Sequence, residues 1–319
     1  MQHAPRIAAI LVVIGILAAA APGWGAPYPE RPIKFIIPWA AGGDTDAIMR
    51  VVANQMEKEL GAPVVVTNIP GASGSVGARE AKVAAADGYT LFAVHDSIHT
   101  TFYTGVADVN YWDYTPICLL ASTPSILATH TKKWRTFKEL VDDAKTHPDD
   151  IKAGATLGST SHFFLALIER KAGARLWKYV HYEGTAQRMT ALLGGHIDLG
   201  ETNLTQLDKM RGGQMRLLGI ATERRHPEAR VVPTLKELGI DVLYSVNRGL
   251  LVPKGTPEAA VDRLAQACEK VGKDAAFADA MRKQGTDVRY LNRQQYTIFL
   301  RENDVLNKNL SDALGYRRR

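Results

Sequence analysis

Three short segments set glycine or hydroxyl residues immediately ahead of stretches with helical apolar spacing: Ala41-Gly42-Gly43-Asp44-Thr45-Asp46, Gly158-Ser159-Thr160-Ser161-His162 and Tyr182-Glu183-Gly184-Thr185-Ala186. The first turn of a helix has backbone N–H groups without intrahelical partners, and the helix dipole adds partial positive charge there. Each end can therefore hold an anion, and several facing one cleft would bind a carboxylate without arginine. Taken singly, each is an ordinary cap. The first turn lacks both the Gly-Lys-Ser/Thr ending of a phosphate loop and the three-glycine spacing of a dinucleotide fingerprint.

Other reactive residue types form no catalytic pattern. His95-Asp96-Ser97-Ile98-His99 has histidines at i and i+4, but Asp replaces the glutamate base of a zinc protease, the segment continues a strand, and no third ligand follows. Gly71-Ala72-Ser73-Gly74-Ser75 departs from the Gly-x-Ser-x-Gly nucleophile turn because the second glycine is displaced. No metal or cofactor is called for. Cys118 and Cys268 permit at most one bridge; export would allow it, and two separately buried thiols are the simpler reading.

The elements that must position these turns alternate. Ile33–Ile37 reads as a strand, Asp46–Leu60 as a helix with Ile48, Val52, Met56 and Leu60 on one face, Pro63–Asn68 as a strand, Val76–Ala86 as a helix and Tyr89–Val94 as a strand. A second unit follows the apolar run Ile117–Thr129: a helix capped by Thr136, a strand at Lys152–Thr156, a helix at His162–Ala172, a strand at Trp177–Tyr182, a helix at Gly184–Leu193 and a strand at Ile197–Gly200. A further helix–strand pair spans Leu204–Ala221. The chain returns through Leu243–Val252 and ends in helices Pro257–Val271, Asp274–Gln284 and one from Arg293 onward. This order predicts an α/β protein with a mostly parallel sheet covered on both faces.

Length and composition agree. A chain of 319 residues predicts about two domains, and 46% hydrophobic with 23% charged residues excludes a disordered or fibrous protein. The net charge of +6 is spread along the chain, clustering only at Arg224-Arg225 and Arg317-Arg318-Arg319, which argues against a nucleic-acid partner. Residues 7–21 are uncharged and apolar, preceded by Arg6 and followed by small residues. That is a secretory signal, shorter than the ~20 residues of a membrane-spanning helix. A cleaved signal at residues 1–26 and a periplasmic mature protein are expected.

Several ordered motifs together resemble the extracytoplasmic solute receptors of tripartite tricarboxylate transporters (Bug-type periplasmic substrate-binding proteins). They are Tyr28-Pro29-Glu30-Arg31-Pro32-Ile33, Pro38-Trp39-Ala40-Ala41-Gly42-Gly43-Asp44-Thr45-Asp46, Val64-Val65-Val66-Thr67-Asn68-Ile69-Pro70-Gly71-Ala72-Ser73-Gly74, Asp87-Gly88-Tyr89-Thr90-Leu91, His181-Tyr182-Glu183-Gly184-Thr185-Ala186, Ala191-Leu192-Leu193-Gly194-Gly195-His196-Ile197-Asp198 and Gly249-Leu250-Leu251-Val252-Pro253-Lys254-Gly255-Thr256-Pro257. The resemblance implies a type II periplasmic binding protein-like fold: two α/β domains joined by a hinge, closing like a Venus flytrap on a central ligand cleft. Domain 1 would be 27–123 plus 248–319, and domain 2 would be 124–247. It also implies a small carboxylate ligand, integral-membrane transporter subunits as partners, and a monomeric receptor rather than an enzyme.

Carried onto this chain, the resemblance places the carboxylate against Ala41, Gly42, Gly43, Asp44 and Thr45 and the start of the Thr160-Ser161-His162 helix, often with ordered water. Tyr182, Gly184 and Thr185 would close the cleft, and Asp198 would reach it or brace it. Trp39, Asp46 and Ser97 complete the expected ligand-binding set. Aromatic Trp39, Phe102 and Tyr103 could wall an aromatic acid, with core or hinge packing the default. Two departures stand out: Ala41 replaces a common proline, and Asp44 and Glu183 replace glycine or lysine. Both carboxylates are expected to face solvent, as charged side chains mostly do; either one pointing inward would disfavour a dianion unless water or a ligand amine intervened. A periplasmic sensor is the alternative within the fold. From another class, a secreted serine hydrolase would use Ser73 or Ser161 with a histidine.

Overall fold

Apolar side chains alternate along the strands and so reach both faces of each sheet. A computed structural model describes residues 28–147 and 150–316. The expected signal segment and the Arg317–Arg319 cluster lie outside the described residues. In chain order the elements are β1 (Ile33–Ile37), α1 (Asp44–Leu60), β2 (Val64–Asn68), α2 (Ser75–Val83), β3 (Thr90–His95), α3 (Ser97–Tyr103), β4 (Tyr114–Pro124), β5 (Ile126–His130), α4 (Phe137–Thr146), β6 (Lys152–Ala155), α5 (Thr160–Ala172), β7 (Lys178–His181), α6 (Thr185–Leu193), β8 (Leu199–Thr202), α7 (Leu207–Arg211), β9 (Met215–Ile220), β10 (Ser245–Pro253), α8 (Glu258–Lys273), α9 (Ala275–Lys283), β11 (Asp287–Leu291) and α10 (Arg293–Ala313).

They build two sheets, β11-β4-β10-β3-β1-β2 and β7-β6-β8-β5-β9. In the first, Ile33, Phe35 and Ile37 join one core with α1, α8 and α9, while Ile36 joins another with α2, α3 and α10. The second repeats the arrangement: Leu127 packs with α4 and α5, and Ile126 and Ala128 pack with α6 and α7. Each fully buried aliphatic side chain is worth roughly 1.5–3 kcal/mol, so four such layers hold two lobes separately.

The sheets are mixed, not mostly parallel. β1 runs parallel to β2 and β3, but β10 is antiparallel to β3 and β4. In the second sheet β5 is antiparallel to β8 and β9. The antiparallel ladders belong to strands that cross between lobes. The apolar run Ile117–Thr129 is two strands, β4 in one sheet and β5 in the other, parted at Ser125. Beside it the returning segment enters β10: Ser125 N–H donates to Tyr244 O, Tyr244 N–H to Ala221 O and Ala221 N–H to Ser125 O. These adjacent crossings form the hinge.

Two short elements escape the sequence pattern. In α3, Thr100 and Thr101 hydroxyls bond back to Ser97 O, and the helix is held by burial against α10. In β11, Asp287 and Val288 pair with Ser122 and Ala121 at a sheet edge. Cys118 and Cys268 are bridged, correcting the expectation of separate thiols. β4 and α8 face each other in one core, which brings their Cα atoms to 6.4 Å.

Candidate functional site

The three helices foreseen as anion ends, α1, α5 and α6, all begin at one cavity between the lobes. None has its N-terminus closed by a capping side chain among the described residues. Gly184, immediately before α6, has φ near +105°, a conformation that glycine adopts without strain. The cavity encloses about 40 Å³ and is lined by Trp39, Gly43, Asp44, Thr45, Thr160, Ser161, Gly184 and Thr185 from the expected set. At that volume it has room for a few water molecules.

Two arginines line it as well, against the expectation of a site built without them. Arg188 lies on the inward face of α6, its stem crossing Gly154 of β6 and Gly200 of β8, which pair in register and leave no side chain in its path. Its Nη2 donates to Glu201 Oε2 at 2.6 Å and Thr185 Oγ1 at 3.2 Å. Arg248, on hinge strand β10, donates through Nη2 to Asp44 Oδ2 at 2.9 Å, through Nη1 to Thr123 Oγ1 at 2.7 Å and through Nε to Thr45 Oγ1 at 3.1 Å. Both guanidiniums are buried. Their signal in the sequence was an arginine on an apolar helix face and another inside an apolar strand.

Asp44 does not face solvent. Its Oδ1 accepts from Thr185 Oγ1 and its Oδ2 from Asn203 Nδ2, each at 2.9 Å and each from the opposite lobe. Burial opposes its ionisation, but Arg248, the Thr185 hydrogen bond and Arg188 together hold the carboxyl below its usual range. Glu201, from the inward face of β8, is buried with Oε1 accepting from Ser125 Oγ at 3.0 Å. Burial pushes it up to about 7, with Asp44 adding to the rise and Arg188 opposing it. Glu183 lines the cavity at its rim, where it accepts from Ser73 N–H at 3.3 Å and meets His181 Nε2 at 3.2 Å, instead of facing solvent freely.

His95 closes the cavity floor, stacked on Trp39 with ring centroids 4.9 Å apart. Ser97 N–H donates to His95 Nδ1, which leaves the proton of the neutral ring on Nε2. Burial and Arg248 push this histidine down to about 3, so the ring is neutral.

The remaining expected residues stand outside the cavity lining. Ala41 and Gly42 are exposed. Asp46 accepts from Gly42 N–H, Arg50 and Asn68, fixing the loop before α1. Ser97 acts on His95 through its backbone. His162 points away, its Nδ1 accepting from Gly158 N–H and its Nε2 meeting Tyr316 OH at 3.1 Å. Tyr182 packs in the core of α6 and α7. Asp198 lies beyond the other end of β8, accepting from Lys152 N–H and pairing with Lys133. Phe102 and Tyr103 pack near Trp112 and Asp304, away from the cavity. Ser161 Oγ accepts from Thr156 N–H and Ser73 Oγ donates to Leu157 O, so neither serine is bonded to a histidine as a hydrolase would need. His95 ends β3 and His99 lies in α3, where it meets Asp304, so the pair does not share a helix.

A family model described as the tripartite tricarboxylate transporter family receptor matches residues 48–316. A protein of Cupriavidus necator, described as "UPF0065 protein in gbd 5'region", is 32% identical over 316 residues, covering 97% of this chain and 95% of that one. Among solved structures, the periplasmic binding protein BugD superposes with a TM-score of 0.85 at 28% identity, over 92% of this chain and 100% of that one. MatC of Rhodopseudomonas palustris, solved with bound malate, superposes with a TM-score of 0.81 at 25% identity, over 89% of this chain and 99% of that one.

Proposed function

The chain belongs to the tripartite tricarboxylate transporter receptor family, and on that premise we propose that it captures a small carboxylate between its lobes and delivers it to a membrane transporter. The observation that carries the reading is the convergence of three uncapped helix N-termini with Arg188 and Arg248 on one cavity. Free N–H groups at Thr160, Ser161, Thr185 and Ala186 and the His95 Nε2–H would donate to the ligand, and Trp39 would cover it. The malate held by the MatC relative supports a carboxylate.

In this reading residues 1–26 are a cleaved export signal. Residues 27–123 plus 248–319 form one domain and 124–247 the other, and the monomer acts without catalysis. Ligand contacts from both lobes favour closure only as far as they differ between the open and closed forms. The test is a thermal-shift screen of the mature protein against malate, succinate, adipate and benzoate, since a ligand bound only by the folded state raises apparent stability. A shift with at least one acid, lost in Arg188→Met, is expected; no shift with any carboxylate up to millimolar concentration would overturn the reading.

A further inference from the structure

The cavity lining carries Arg188 and Arg248 as cations and Asp44, Glu201 and the rim residue Glu183 as carboxylates. Each guanidinium is already engaged by a carboxylate, so an entering anion finds no uncompensated side-chain charge; only the helix ends, worth about half a charge each, favour it. A buried site in that state admits an anion when one of its own carboxylates is neutralised.

We propose that capture of a carboxylate is coupled to uptake of one proton by Glu201, which releases the charge of Arg188 to the ligand. The inference rests on the carboxylate reading above and adds the proton to it. Geometry selects Glu201 among the three acids. Asp44 opens helix α1, where the dipole favours its charge, and it accepts from Arg248, Thr185 and Asn203. Glu183 is 34% exposed, and solvent screens its charge. Glu201 is buried at a strand end, with one guanidinium on Oε2 and one hydroxyl on Oε1.

The groups facing Glu201 are Arg188 of α6, Asp44 of α1, Arg248 of β10, and Ser125 and Tyr244 of the hinge. Tyr244 is held protonated by burial, and Asp44 disfavours a second negative charge. The proton has a defined seat: the Ser125 hydroxyl donates to ionised Glu201, and by rotating it can accept from the protonated acid along the same 3.0 Å contact.

The experiment is isothermal titration calorimetry of the mature protein with malate, succinate, adipate and benzoate, in phosphate and in Tris, from pH 6 to 9. One proton per captured anion gives binding enthalpies at pH 8 that differ between the two buffers by their ionisation enthalpies. It also gives an affinity falling up to about tenfold per pH unit above pH 7. E201Q is expected to bind with the same enthalpy in both buffers. Wild-type binding whose enthalpy is independent of the buffer, or proton uptake that persists in a folded E201Q, would overturn the proposal while leaving the receptor reading standing. Absence of binding by all four acids at every pH overturns both.

Discussion

Thr185 Oγ1 donates to Asp44 Oδ1 at 2.9 Å, so the first residues of two helices from opposite lobes are tied across the cavity. The same hydroxyl accepts from Arg188, which continues to Glu201, while Asp44 continues to Arg248. One chain of polar contacts thus runs from the second lobe through the cleft to the hinge strand. On the proposed reading, removing a link should change closure as well as binding.

Thr185→Val deletes a cross-cleft hydrogen bond to a carboxylate, an interaction of about 1.5–3 kcal/mol. The ligand-free protein should open, and its radius of gyration in solution scattering should rise above that of the wild type. An unchanged scattering profile would show that the contact does not hold the lobes together.

Asp44→Ala leaves Arg248, only 1% exposed, without its carboxylate. Stripping one partner from a buried ion pair costs about 3–5 kcal/mol. Urea unfolding should register a loss of that size, and Asp44→Ala combined with Arg248→Met should recover most of it. If the two losses simply added, the pair would be energetically independent.

Stability should change with pH in two opposed windows. Glu201 is raised from 4.5 to about 7, so the protonated acid is favoured in the folded state; its contribution is full below 4.5 and is lost as pH rises through 7. His95 is lowered from 6.5 to about 3, so its contribution is present above 6.5 and is lost as pH falls towards 3. The two slopes offset each other between pH 4.5 and 6.5, so in denaturant unfolding from pH 4 to 8 the unfolding free energy of E201Q should gain on that of the wild type by roughly 1.4 kcal/mol per pH unit between 4.5 and 7. Parallel wild-type and E201Q curves would contradict this.

The bridge between Cys118 and Cys268 closes a loop of 150 residues between β4 and α8. Replacing both cysteines by alanine should lower unfolding free energy by about 2–5 kcal/mol. Titration with whichever carboxylate binds the wild type should be affected far less, because neither cysteine lines the cavity. Equal unfolding curves with and without the bridge would be the contrary result.

At Gly154 an added Cβ would clash with Ile197 Cδ1 and lie 3.0 Å from Arg188 Cγ. Gly154→Ala should therefore displace Arg188, costing about 1–3 kcal/mol of stability. Affinity for whichever carboxylate binds the wild type should drop as well. Unaltered affinity would separate Arg188 from the site.

Amino-acid order by itself determined most elements and the three helix ends that meet at the cavity, because periodic burial, caps and glycine turns are local properties. Thr136, for example, caps α4 by accepting from Glu139 N–H, as its position predicts. Long-range pairing decided the rest. The residue pattern of the run Ile117–Thr129 does not show that it belongs to two sheets, and only the family resemblance put a boundary inside it, because the split at Ser125 depends on what each half pairs with. Nor does a sequence show that Asp44, Thr185, Arg188, Glu201 and Arg248 share one cavity, for they come from α1, α6, β8 and β10. Solvent was the default environment for Asp44 because an unpartnered charge is costly to bury; only the folded chain supplies Arg248, Thr185 and Asn203 to offset that cost.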